Sequence, residues 1–555
     1  MKRSGLWSVL AVLVALVMML GACAPAAAPA EPAAPAEPAA PAAPAEPAAQ
    51  PEATQPPAAE PAPAMPAEPK MGGTLTFAMK EDVTSMDPLK AIQYGDIRLN
   101  VLVAQQLVAP DKDGKFVGVL AEKWETSADG KEWTFFLRKG VKFHNGQEMK
   151  SADVKWIFDR ILDENAGAAM RSALSGIGLK VEAVDDYTVK MTIEKGAGPF
   201  LSYLALLNRP AIIHKDSYQA DGSVLKMIGT GPFMMEESKP GESYTLVKNP
   251  DYWVAGQPYL DKVVLKVITD ANVRLNALRT GEVDMAEELP IADVKKLQET
   301  PDPNFTVKVY YFNSGARLVM NTTKPPFNDK NARLAVQYAL DRNAYNEAVY
   351  FGLGQVHNQP FVPSDVWHVD VPIIEPDLAK AAEYFAAAKL QPGTEITMLL
   401  LPNQKDAAEI IDAILSQVGF KVKFEIVDSA AWTTKGKAYE YDMLMGTMTG
   451  IFDPDRPYGY LSKNSGSNWL VGGYDSEAMN ALLDAGRSEA DVAKRKEIYT
   501  KVVQLVQDDA ATLYVVSMPW VEGWRSHVMG YDTANAPTLM MMDGSTGLNT
   551  TWLNK

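Results

Sequence analysis

Between Ala24 and Pro69 the chain is almost wholly alanine, proline and glutamate, and this tract decides where folding can begin. Alanine alone favours helix, but a proline every few residues removes N–H donors and clashes with the turn before it. The tract has almost no large apolar side chain, so it has nothing to bury in a core. It reads as an extended, partly polyproline II tether whose ~46 residues reach ~140 Å at ~3.1 Å each. Folding is left to residues 71–555, long enough for two or more domains.

The segment before the tract has the layout of an export signal. Lys2 and Arg3 make a positive start, "LWSVLAVLVALVMML" an apolar run, and Gly21 and Ala22 the small residues before a cut. Cys23, the single cysteine of the sequence, follows at once. "LGAC" resembles the lipobox of bacterial lipoproteins, whose cysteine takes lipid and becomes the new N-terminus. The resemblance implies a signal peptide over 1–22 and a lipidated Cys23 with its tether over 23–70. The body would then be held on the extracytoplasmic side of a membrane, periplasmic or cell-surface. With one cysteine there is no disulfide to place.

The formal net charge of −16 argues against nucleic acid as a partner, which favours a basic footprint. Strand and helix patterns are mixed. "KEWTFFLRKGVKF" predicts a strand pair, with Trp133, Phe135 and Leu137 alternating before Lys139-Gly140 and Val141 and Phe143 after it. "SADVKWIFDRIL" predicts a helix with Ser151 as N-cap and Val154, Ile157, Phe158 and Ile161 on one stripe. Further on, "EITMLLL", "AAEIIDAILSQVGF", "KVKFEIV" and "YDMLMGTMT" predict strand, helix, strand and strand. Ile410, Ile411, Ile414, Leu415 and Val418 share the helical face, and Gly419 stops it. "ADVAKRKEIYTKVVQLVQDDAATLYVV" predicts a long amphipathic helix feeding a strand. The order is that of an α/β architecture.

Signatures of chemistry are missing. The five histidines show no metal-ligand spacing, and the body has no cysteine to join them. "DKDGKF" begins like a calcium loop but places Phe116 where glycine is required, so it reads as a turn. "GAGPF" and "GTGPF" lack the lysine and hydroxyl of a phosphate loop and predict tight backbone approach instead. There is no G-x-S-x-G. No metal site, no cofactor and no enzymatic activity are expected. A hydrolase stays as an alternative class, because 69 acidic residues leave carboxylate pairing unreadable.

Four blocks carry a family resemblance: "GGTLTFAMKEDVTSMDPLKA", "LAEKWETSADGKEWTFFLRKGVKFHNGQEMKSADVKWIFDRIL", "IGTGPFMMEESKPGESYTLVKNPDYW" and "LVMNTTKPPFNDKNARLAVQYALDR". In that order they resemble the bacterial extracellular solute-binding proteins of family 5, the dipeptide and oligopeptide receptors of ABC importers. The resemblance implies an α/β, two-lobed periplasmic-binding-protein fold of type II, of the large cluster with an extra subdomain in lobe I. Lobe I would span 71–310 and return over 521–555, with lobe II at 311–520 and a hinge between. The ligand would be enclosed by hinge closure without a catalytic step. Permease and ATPase subunits would be the partners, and the chain a monomer.

The resemblance also nominates ligand-binding residues. In the dipeptide receptors an aspartate of the lobe II strand–loop holds the ligand's amino group. The matching stretch, "GTMTGIFDPDRPYGYL", places Ile451 there, with Asp453 either a shifted acceptor or a turn cap before Pro454. Thr447, Thr449 and Gly450 line the part that supplies backbone contacts. The family's carboxylate-binding arginine is absent from "LLLPNQKDAAEII", where Lys405 is the only cation. Trp432 aligns with a ligand-stacking tryptophan, and Trp469, Trp520 and Tyr94 are further aromatic candidates, each with core packing as its alternative. With both charge anchors altered, an oligopeptide is favoured over a free dipeptide. The alternatives are an oligosaccharide or other non-peptide solute in the same role, a signalling receptor of the same fold, and the hydrolase.

Overall fold

The computed structural model describes residues 68–111, 114–196, 198–206, 209–311, 313–448, 453–531 and 547–555. The expected signal peptide, Cys23 and nearly all of the tether lie outside them, as do Thr449, Gly450 and Ile451.

Two large sheets organise the described chain. In the first, seven strands lie in the order Phe305–Tyr310, Trp520–Arg525, Met285–Glu287, Thr74–Met79, Lys262–Val267, Ser243–Lys248 and Phe233–Lys239. Its strand Thr74–Met79 pairs in parallel on both sides, and Leu75, Phe77 and Met79 are buried in one core with Phe135, Ile157 and Phe158. A four-stranded antiparallel sheet, Ala121–Thr126, Glu132–Leu137, Thr188–Thr192 and Lys180–Asp185, contributes to the same core. The second large sheet has six strands: Gln355–Val356, Leu513–Ser517, Gly315–Met320, Met443–Met448, Thr394–Leu400 and Phe420–Ile426. The body built on the seven-stranded sheet is lobe I here and that on the six-stranded sheet lobe II. The chain passes between the sheets from Tyr310 to Gly315 and again from Ser517 to Trp520.

Lobe II is covered on both faces, so its central strand is buried along its whole length. Alternate residues of Gly315–Met320 serve different cores. Ala316, Leu318 and Met320 pack with Ile411, Ile414 and Leu415, while Val319 packs with Leu399, Tyr441 and Trp469.

Three local expectations differ from the structure. Glu132–Leu137 is a strand, but its partners are Ala121–Thr126 and Thr188–Thr192, not 141–143. Val141 and Phe143 are buried in a looped segment, where the Phe143 N–H donates to the Gln147 carbonyl. Ser151 is the first residue of its helix, not the cap. Its hydroxyl donates to the Asp185 carbonyl, and Asp153 accepts from the Lys150 N–H at 2.8 Å. Finally, a helix at Ser429–Lys437 separates the strands Phe420–Ile426 and Met443–Met448, so the latter runs parallel to Thr394–Leu400. Asp428 caps that helix by accepting from the Ala431 N–H at 2.8 Å, but its threonines and Gly436 blur the apolar stripe. The glycines of "GTGPF" do sit against backbone: a Cβ at Gly229 would lie 2.0 Å from the Val103 oxygen.

Candidate functional site

The cores of the two lobes face each other across a cleft of about 830 Å³. Lobe I supplies a wall from 169 to 209, which includes the helix Phe200–Leu204, and lobe II a wall from 455 to 488. Phe200 and Leu204 anchor the first wall in the lobe I core, and Tyr458 and Leu461 anchor the second in lobe II.

Polar contacts join the walls at Asp453 and Asp455. Arg495 gives Nη1 and Nη2 to the two Asp453 oxygens at 2.5 and 2.7 Å, both side chains almost fully buried. Ser202 of lobe I donates its hydroxyl to the same carboxylate at 3.1 Å. Two residues on, Asp455 takes Arg487 Nε at 2.6 Å and the Tyr203 hydroxyl at 2.9 Å. The Gly198 N–H donates to the Arg487 carbonyl at 3.1 Å. Burial opposes the Arg495 charge, but the Asp453 carboxylate more than offsets this and holds it above the ordinary arginine range. Burial, together with the Asp455 and Asp453 charges, pushes the Tyr203 hydroxyl well up.

Of the two readings of Asp453, shifted acceptor or turn cap, the turn cap is present in the structure. Its carboxylate is engaged by Arg495, Ser202 and the Asp455 N–H, the last at 2.8 Å as a turn cap. Lys405 is exposed and paired with Glu409 at 3.2 Å along its own helix.

The four aromatic candidates come together as two pairs. In lobe II, Trp432 and Trp469 meet edge to face with centroids 5.3 Å apart. Trp469 is a core residue: it is 8% exposed and rests on Gly436, where a Cβ would lie 2.4 Å from its ring. Trp432 is half-buried, and its indole N–H has no hydrogen-bond partner among the described residues. In lobe I, Tyr94 opens the helix Tyr94–Val103 and meets Trp520 edge to face at 5.2 Å. Lys80 Nζ stands 5.1 and 5.5 Å from their ring centroids and 2.6 Å from Glu288. Trp520 is buried beside the crossing from Ser517. Thr447 is exposed, opposite Ala316 in the sheet.

Sequence reasoning missed Ser202, Tyr203, Arg209, Arg456 and Arg487. Nothing in their local pattern marks them, because their roles come from pairing across 250 residues or more for the first two. The charge-dense "DPDR" was the one available signal. Burial lowers Arg209 to about 10, and the like charge of Arg456 adds to the shift. Among the described residues no cluster of histidine, cysteine or carboxylates is arranged to hold a metal, and no helix is long and apolar enough to cross a membrane.

Comparison with known proteins places this geometry. The model of the bacterial extracellular solute-binding proteins, family 5 (Middle), matches residues 115–469. Di/tripeptide-binding protein 1 of Pseudomonas aeruginosa strain UCBPP-PA14 is 30% identical over 428 residues, covering 70% of this chain and 78% of that protein. The dipeptide-binding protein of P. aeruginosa PAO1 is 29% identical over 518 residues, covering 83% and 95%. Among solved structures, the ABC transporter-associated periplasmic binding protein DppA from Helicobacter pylori, in complex with the peptide STSA, superposes with a TM-score of 0.74 at 28% identity. That match covers 88% of this chain and 99% of the other.

Proposed function

We propose that this chain, which belongs to the bacterial extracellular solute-binding proteins of family 5, captures a peptide between its lobes and delivers it to an ABC importer. The observation that carries the reading is the cleft itself. Both lobes wall it, and side chains of lobe I reach the Asp453 and Asp455 carboxylates of lobe II. Such contacts exist only when the lobes are together, so they favour the closed state that a ligand selects. The relatives named for di- and tripeptides, and the neighbour holding a four-residue peptide, support the ligand class.

An oligopeptide fits better than a free dipeptide. A buried ammonium needs a charged acceptor, and Asp453 is already neutralised by Arg495. A longer peptide relies more on backbone hydrogen bonds and on aromatic surface such as the half-buried Trp432. Lipid at Cys23 and the tether would keep a monomeric receptor close to its permease and ATPase, raising its effective concentration there. No catalytic step is involved.

Native mass spectrometry of protein purified without refolding, followed by analysis of what denaturation releases, tests the reading. A ladder of peptide masses is expected. A hexose-spaced series would make it an oligosaccharide receptor, and hydrolysed fragments of an added peptide would make it a hydrolase.

A further inference from the structure

We infer that the cleft seats an anionic group of the ligand, a carboxylate, between Arg209 of lobe I and Arg456 of lobe II. The inference deepens the peptide-receptor reading and rests on it.

Arg209 and Arg456 line the same cleft from opposite walls. Arg209 gives its Nε to the Ala91 carbonyl at 2.9 Å. Among the described residues neither arginine has a carboxylate within 4.0 Å. The nearby carboxylates are committed elsewhere. Asp455 and Asp484 lie 2.6 and 3.5 Å from Arg487. Asp96, whose charge reaches Arg209, accepts the backbone N–H groups of Thr84, Ser85, Ile92 and Gln93.

A third guanidinium lies beside a tyrosine that lines the cleft. Arg317, on the central strand of lobe II, is 2% exposed, and its guanidinium lies 6.0 Å from the ring of Tyr460. Tyr460 lines the cleft, four residues on from Arg456. Arg317 Nε and Nη1 have no hydrogen-bond partner among the described residues. Burial lowers its pKa, and the groups that act on its charge among the described residues are Tyr514, Tyr460 and Tyr441. A buried cation without a counter-charge is costly. Tyr460 thus stands by Arg317 and acts on Arg209, and Arg456 lines the same cleft, in a chain whose net charge is −16. A planar carboxylate matches paired guanidinium donors in shape as well as in charge. It replaces the carboxylate anchor that the segment around Lys405 lacks.

The test measures affinity of the full chain for a tripeptide mixture with free C-termini, for the same mixture C-terminally amidated, and for an amidated mixture carrying one glutamate. The free acids should bind at least ~10-fold tighter than the neutral amides, the loss expected for one charge-assisted hydrogen-bond pair. In the double variant Arg209→Gln, Arg456→Gln the acid-to-amide ratio should fall below ~3, a change that a merely structural role would not produce. Recovery of binding by the glutamate amides assigns the site to a side-chain carboxylate, and no recovery to the C-terminus; both support a carboxylate seat. Equal binding of acids and neutral amides by the parent protein, or an acid-to-amide ratio unchanged in the double variant, overturns the inference and leaves the peptide reading standing. Binding of no peptide mixture overturns both.

Discussion

Replacing Asp453 by asparagine separates a carboxylate that holds lobe II together from one that holds a ligand. Asp453 and Arg495 are 4% and 1% exposed, and the bond between them is doubled, at 2.5 and 2.7 Å. Removing one partner of a buried pair typically costs about 3–5 kcal/mol, because the other charge stays buried and uncompensated. Asparagine can still accept one hydrogen bond, which recovers about 1 kcal/mol. The net loss is then about 2–4 kcal/mol. For a lobe of ~200 residues each kcal/mol shifts the midpoint by about 2–4 °C, so the unliganded protein should melt on the order of 10 °C lower. Differential scanning calorimetry without ligand reads this directly. Peptide affinity, measured where the variant is folded, should change only a few-fold, because among the described residues the Ser202 bond alone crosses between the lobes at this carboxylate. The double variant Asp453→Leu, Arg495→Met removes both charges and should recover part of the loss. A variant that melts within ~2 °C of the parent but binds peptide more than ~30-fold more weakly would refute this assignment, since a purely ligand-facing carboxylate predicts that pattern.

Other changes probe closure, packing and pH. Gly198→Ala should weaken ligand binding by at least ~10-fold with little change in unliganded melting, because a Cβ there would lie 2.7 Å from Arg495 Nε and from the Glu489 carbonyl. Titration calorimetry with unchanged affinity would show that this contact is not part of closure. Trp432→Ala should cost more than ~1 kcal/mol of binding, whereas Trp469→Ala should cost about 3–5 kcal/mol of stability by emptying a packed site. His357, buried with Arg342 and His368 acting on it, has its pKa lowered from 6.5 to about 3. Its unfolded form binds the proton first, so stability is full above pH ~6.5 and falls by about 1.4 kcal/mol per unit as pH drops towards 3. His357→Asn should flatten that acid limb in pH-dependent melting. Arg456→Gln should raise the closed fraction of unliganded protein, seen in small-angle scattering as a smaller radius of gyration.

Much of the fold was legible because its signals are local. The stripe Ile411, Ile414 and Leu415 and the stop at Gly419 follow from helical period and from glycine's tolerance of φ +109°, and the structure has a helix over Lys405–Ser416. The alternation of Trp133, Phe135 and Leu137 marks a strand whatever its partners are. Which strands it pairs with is a long-range matter, and the expected partner at 141–143 was wrong for that reason. The site was less legible. Trp432 and Trp469 look alike in sequence, but only the packing of Gly436 under Trp469 shows which one is core. Asp453 stands in a motif that left ligand contact and a turn cap both open, and the buried pair it forms is with Arg495, 42 residues away on the helix Val492–Asp508. Arg209 and Arg317 carry no pattern at all, and their interest comes from counter-charges that folding does not bring to them.

The charges of the cleft bear on how the receptor avoids closing empty. Ser202, Tyr203 and Gly198 offer three hydrogen bonds across the lobes, each worth about 0.5–1.5 kcal/mol net. Closure also brings Arg209 and Arg456 to one cleft, where the like charge of Arg456 acts on Arg209; such a pair repels by about 2 kcal/mol at an effective dielectric near 20. The two effects are of the same size, so the empty receptor has little drive to close. A carboxylate between the guanidiniums turns the repulsion into attraction, a swing of about 4 kcal/mol, which moves a two-state equilibrium about a thousandfold. Neutral peptides would gain the hydrogen bonds but keep the repulsion. Selectivity and closure then draw on the same two arginines, and removing one of them weakens both the preference for an anion and the bias towards the open empty state.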